Sequence, residues 1–190
     1  MRALLSALSV LLAACSNASP QLPSRPSPAG TPSPAASPVQ LRTPAAAILE
    51  DAQVGLPRVS GRDNLSAAEA ASTAPDQPQA FQTYTSWGWS EQSTRSWSAG
   101  GRNADALVLV TLRPPGARLA FAYYAQRTDG APYSGIPCPA SITGLDGCHA
   151  GTSGSRTVVT GWLAEEIFVV GGSGVDVMAL AALQARRLRA

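Results

Sequence analysis

The side chains of this 190-residue chain that could do chemistry are few and scattered. His149 is the only histidine, and it directly follows Cys148. A Ser–His–acid triad would need it as the base, yet no serine stands in the Gly-x-Ser-x-Gly turn that exposes such a nucleophile. Cys138, Cys148 and His149 could offer three ligands to zinc, but the close-spaced cysteine pair of a structural site is missing. Haem attachment through Cys-x-x-Cys-His is excluded, because Leu145 stands where the first cysteine would have to be. Glu165 and Glu166 could share acid–base work only if both faced one substrate. Adjacent strand residues point to opposite faces, and the pair is expected in a solvated hairpin turn. The run Gly171-Gly172-Ser173-Gly174 ahead of a helix could hold an anion on its backbone N–H groups. It lacks the GxGxxG pattern and the P-loop lysine, which leaves a strand-to-helix turn. The expectation is a chain with no catalytic residues, no metal and no cofactor.

The aromatic residues say more. Trp87 and Trp89 are expected on one face of a strand, with Gly88 between them and Trp97 close behind. A glycine between two large rings leaves room for a neighbouring chain or ligand, and the same rings suit a core. Trp87 and Trp89 are therefore the candidate ligand-binding residues. Phe81, Tyr84, Tyr123, Tyr124 and Trp162 could complete either a core or a pocket.

At the N-terminus, Arg2, an apolar run from Ala3 to Leu12 and the small residues Ala13-Ala14 lead to Cys15. That order is an export signal. The run is too short to span a bilayer, which takes about 20 apolar residues. The segment Leu11-Leu12-Ala13-Ala14-Cys15 resembles the lipobox of bacterial lipoproteins. The resemblance implies that residues 1–14 are a removed signal peptide. It also implies that Cys15 carries a thioether-linked diacylglycerol, often with a further acyl chain such as palmitate. Two or more acyl chains hold a protein stably on a membrane where one is marginal.

Residues 15–44 are dominated by Pro, Ser and Ala and hold no aromatic residue. Such a segment buries too little apolar surface to offset its ordering entropy. Held extended by proline, it reaches on the order of 80 Å. It is read as a tether, with Thr31-Pro32, Ser33-Pro34 and Ser37-Pro38 as steps that could accept O-linked sugars.

Residues 45–190 have one domain's length. The net charge is only +2, and all fourteen basic residues are arginine. The one basic cluster, Arg186, Arg187 and Arg189, suits a solvated helix C-terminus, so no nucleic-acid partner is expected. Outside the cytoplasm, the even pair Cys138 and Cys148 is expected to form a disulfide pinning an irregular loop. A short helical segment is expected over 45–54, a helical turn over 66–72 and a strand over 81–90. Further strands are expected at 94–98 and 104–112, then a helix over 117–127. A hairpin of 156–163 and 167–170 and a helix over 175–189 complete the pattern. The domain is thus expected to be α+β, a twisted antiparallel sheet in ββα-ββα order with helices packed on it.

Lipobox, Ser/Pro tether and single cystine together resemble the small secreted α+β lipoproteins of actinobacteria. The layout is also similar to the extracellular sensor domains of some actinobacterial membrane kinases. The resemblance implies a domain anchored on the outer face of the cell membrane, binding an envelope protein, lipid or glycan without turnover. A hydrolase of wall or lipid substrates and a structural adaptor are the alternatives.

Overall fold

The computed structural model describes residues 42–128 and 132–189, so the expected export segment, Cys15 and most of the expected tether lie outside the described residues. The alternation of Ala104, Ala106 and Val108 with Leu107 and Leu109 shows how the core is built. The first set packs into one apolar cluster and the second into another, on opposite faces of a single strand. A strand covered on both faces reads as a continuous apolar run.

That strand, β3 (Arg102–Thr111), lies within a seven-stranded antiparallel sheet. The other strands are β1 (Arg58–Leu65), β2 (Trp89–Ala99), β4 (Ser134–Ile136), β5 (Gly147–Ser153), β6 (Arg156–Leu163) and β7 (Glu166–Ser173), in the spatial order β1-β2-β3-β7-β6-β5-β4. The expected ββα-ββα order is present as β2, β3, α5 (Pro114–Gln126) and β6, β7, α6 (Val177–Arg187). The fold is the expected α+β sheet with packed helices.

One face carries α6 and the N-terminal segment over Trp97, Val108, Val159, Phe168 and Val170. The other carries α5 together with α3 (Ala67–Ala71) and α4 (Gln77–Ser86) over Trp89, Leu109 and Ile167. The expected helix over 45–54 is two short helices, α1 (Pro44–Ala47) and α2 (Asp51–Val54). It breaks because Leu49 turns its backbone to α6: its N–H donates to Gln184 Oε1 at 3.1 Å. Gln184 Nε2 donates to the Ala47 carbonyl at 2.9 Å. Arg187 donates to the carbonyls of Ala47 (3.0 Å) and Ala46 (2.8 Å) and to Glu50 (2.8 Å). The C-terminal arginines are thus not simply a solvated helix end.

One further expectation is corrected, and two strands go beyond the expected pattern. Residues 81–90 are not one strand. Asp76 accepts the Gln79 N–H and Pro78 sits in the first turn, so Phe81 to Ser86 continue a helix in spite of their β-forming side chains. Strand β1 has seven exposed residues before Leu65, and so no apolar alternation announces it. Strand β5 contains Cys148 and His149, which places the histidine on a strand and not in a loop.

Cys138 and Cys148 form the expected disulfide, with Cα atoms 6.3 Å apart. It ties the segment after β4 to β5. Replacing both cysteines with serine is expected to lower stability by roughly 2–3 kcal/mol, from the entropy of a short loop. Urea unfolding measures the loss, and far-ultraviolet dichroism of the native variant should match the parent.

Candidate functional site

Trp87 is the C-cap of α4, and Gly88 reverses the chain in a left-handed conformation at φ 67°. Trp89 then opens β2. The expectation that both rings share one strand face is therefore corrected: a turn brings them together. Gly88 serves that turn and not a close approach, since a Cβ there would meet nothing nearer than Leu112 Cβ at 3.6 Å. The rings are 6.4 Å apart and nearly parallel, at 14°. Tyr84 lies 4.5 Å from Trp89, and Tyr123 meets Trp87 edge-on at 5.0 Å.

Trp87 and Trp89 are buried, at 5% and 8% exposure, so most of their surface is core. Trp89 Nε1 donates to the Leu65 carbonyl at 3.1 Å. Trp89 also borders a cavity of about 250 Å³ on the α3–α4 face of the sheet. Gln92 and Thr94 of β2, Thr73, Tyr84, Tyr124 and the pair Arg62–Glu69 line it too. Gln92 and Thr94 point there because they alternate with Ser93, Arg95 and Trp97, which belong to the opposite face. The Arg62 and Glu69 heads are 3.9 Å apart. Glu69 also accepts the N–H and hydroxyl of Ser66, which hold its carboxyl below the usual range. Burial pushes the Tyr124 phenol well above its usual range, so it stays a neutral donor.

A second cavity of about 280 Å³ lies between α4 and α5, bordered by Asp76, Gln79, Thr83, Tyr123 and Arg127. The Arg127 guanidinium sits 4.1 Å above the Tyr123 ring. The first cavity offers aromatic rings, neutral hydrogen-bonding groups and the Arg62–Glu69 pair, and the second adds the charges of Asp76 and Arg127.

The other sequence candidates lie elsewhere. His149 Nε2 is 3.4 Å from the Thr128 carbonyl oxygen. The glycine run is expected as a turn, but Gly171 to Ser173 are paired residues of β7 and only Gly174 lies in the turn. The N-terminus of α6 that follows it is capped by Asp176, which accepts the Ala179 N–H. Glu166 is not in a solvated turn. It is the first residue of β7 and wholly buried, and neither carboxyl oxygen has a hydrogen-bond partner. Sequence reading missed Arg62, Thr73, Gln92 and Thr94 as cavity residues. Polar residues two apart in β2 were the available signal, but it has meaning only once α3 and α4 are placed above them.

No protein-family model matches the chain. No curated protein matches it either. Among solved structures it is similar to the extracellular domain of PknH from Mycobacterium tuberculosis. The identity is 10% and the TM-score 0.47, over 80% of this chain and 96% of that chain. Among the described residues, no helix is long and apolar enough to cross a membrane.

Proposed function

We propose that this chain is a lipid-anchored extracytoplasmic binding protein without turnover. Its ligand is a small neutral polar molecule, such as one or two sugar units, held in the cavity beside Trp89. The observation that carries the reading is the combination in one cavity of the Tyr84 and Trp89 rings with Gln92, Thr94 and Tyr124. Aromatic rings suit the apolar C–H groups of a sugar, and amide and hydroxyl groups suit its hydroxyls. The LLAAC segment supports the anchor, and the disulfide is in keeping with an oxidising compartment.

Soluble glycan fragments released from the protein's own envelope are the probe. Binding should shift tryptophan emission, because Trp89 borders the cavity. Thr94→Val, which keeps shape and removes a hydroxyl at a half-buried site, is expected to weaken binding about tenfold. Its melting temperature should stay near that of the parent. Unaltered affinity in the variant would place the ligand elsewhere. Release of new reducing ends from the fragments would show a hydrolase instead.

A further inference from the structure

Where β3 leaves the sheet for α5, large apolar side chains stand in solvent. Leu112 is 71% exposed and Leu119 54% exposed. Leu119, Pro114, Pro115 and Trp162 border a broad groove of about 540 Å³, with Arg118 on its edge. Leu112 lies outside that lining, two residues before Pro114 and beside Gly88. Exposed apolar surface of this kind marks an interaction site.

The charges at its rim select the partner. Arg113 and Arg118 are both exposed, and neither takes part in the ion pairs of the described residues. The nearby acidic residues lie outside the groove lining: Asp146, just before β5, accepts the Ala164 N–H at 2.8 Å, and Glu165 follows Ala164 in the hairpin turn. A tryptophan, a leucine and an arginine around one apolar groove are the composition of a membrane-surface contact. The guanidinium fork matches phosphate oxygens.

We propose that this face, made of Leu112, Arg113, Pro114, Arg118, Leu119 and Trp162, rests on an anionic lipid bilayer. The apolar side chains enter the headgroup boundary and the two arginines meet lipid phosphates. This rests on the anchor reading. The segment from Cys15 to the domain reaches on the order of 80 Å when extended. A domain of this length has a radius of gyration of only about 15 Å, so any of its faces can meet the membrane that holds Cys15.

The test uses the processed full chain and vesicles with brominated acyl chains, made either of neutral phosphatidylcholine or of a three-to-one mixture with phosphatidylglycerol. Flotation reads the anchor, and quenching of tryptophan emission reads the face. Trp87, Trp89 and Trp97 are at most 8% exposed, so Trp162 is the reporter. In the anionic vesicles emission should fall by up to about a quarter, since Trp162 is one of four tryptophans. The loss should disappear in the double variant Leu112→Ser, Leu119→Ser. It should weaken in Arg113→Gln, Arg118→Gln and at high salt. A chain that floats but stays unquenched in anionic vesicles overturns the proposal and leaves the groove to a protein. A chain that does not float on neutral vesicles overturns the anchor. Flotation of that unanchored chain on anionic vesicles would still uphold the face, and failure to float on them would overturn it.

Discussion

Raising the pH from 5 to 8 is expected to destabilise this domain by several kcal/mol, and Glu166→Gln to abolish most of that loss. Glu166 opens β7 between Val110 and Leu163, its partners in the neighbouring strands. Its carboxyl is fully buried, with no hydrogen bond to either oxygen. Burial, with a contribution from the charge of Glu165, pushes it up to about 8. An unfolded glutamate titrates near 4.3. Below that value both states hold the proton and the group is silent. Between the two values the unfolded chain has released its proton and the folded chain has kept it, so stability falls as pH rises. The span amounts to on the order of 5 kcal/mol, a large share of a domain's ~5–15 kcal/mol. Asp63 acts with the opposite sign and at lower pH. Hydrogen bonds from Arg95 hold its carboxyl below the usual range, and the stability it brings is lost only as pH falls through that lowered value. Urea unfolding of parent and variant at pH 5, 6.5 and 8 separates the two. Parallel pH profiles for parent and Glu166→Gln would show that the buried carboxyl is not the cause.

Gly116→Ala is expected to cost at least ~3 kcal/mol, the upper end of overpacking penalties. Gly116 lies in the first turn of α5, pressed against the end of α4. A Cβ there would lie 1.8 Å from the Trp87 carbonyl oxygen and 3.2 Å from Thr111 Cβ. The first of these atoms is backbone, fixed by the turn at Gly88, so no rotamer change makes room. Relief requires α5 to lift from the sheet and break the contact of Tyr123 with Trp87. Gly135→Ala is the control. It lies in a strand, and a Cβ there would meet nothing within 4 Å. Thermal melts should show a loss of many degrees for the first substitution and almost none for the second.

Which parts of this fold could be read from sequence follows from where apolar residues lie. Strands β3, β6 and β7 have both faces covered, so their central residues form apolar runs that are visible. Helix α6 shows its period because one side packs on the sheet while Ala179 and Arg186 stay exposed, and an even pair of cysteines in a chain read as exported points to the disulfide. Strands β1 and β5 are built of small and polar residues at the outer part of the sheet, and their composition carries no period. Helix α4 misled because Phe81, Tyr84 and Thr85 favour strands in isolation. The signal that decides it is the Asp76 cap with Pro78, a local device that outweighs propensity. Trp87 and Trp89 were correctly paired but through the wrong geometry, since only the left-handed Gly88 shows that a turn joins them. The cavity beside them draws on β1, β2, β3, α3, α4 and α5. No local pattern marks such a site, because stacking those elements is what creates it.

The clasp between the N-terminal segment and α6 bears on how this domain carries mechanical load. Were residues 15–44 to tether the domain to a membrane, as proposed, a pull on them would deliver force first to residues 46–50. There Gln184 and Arg187 hold the chain through bonds to Ala46, Ala47, Leu49 and Glu50. Tension is thus shared among several bonds and passed into the C-terminal helix before it can reach β1, the exposed edge strand. Cutting that clasp with Gln184→Ala and Arg187→Ala should lower the rupture force in single-molecule stretching, by letting the sheet be peeled from its edge one strand at a time.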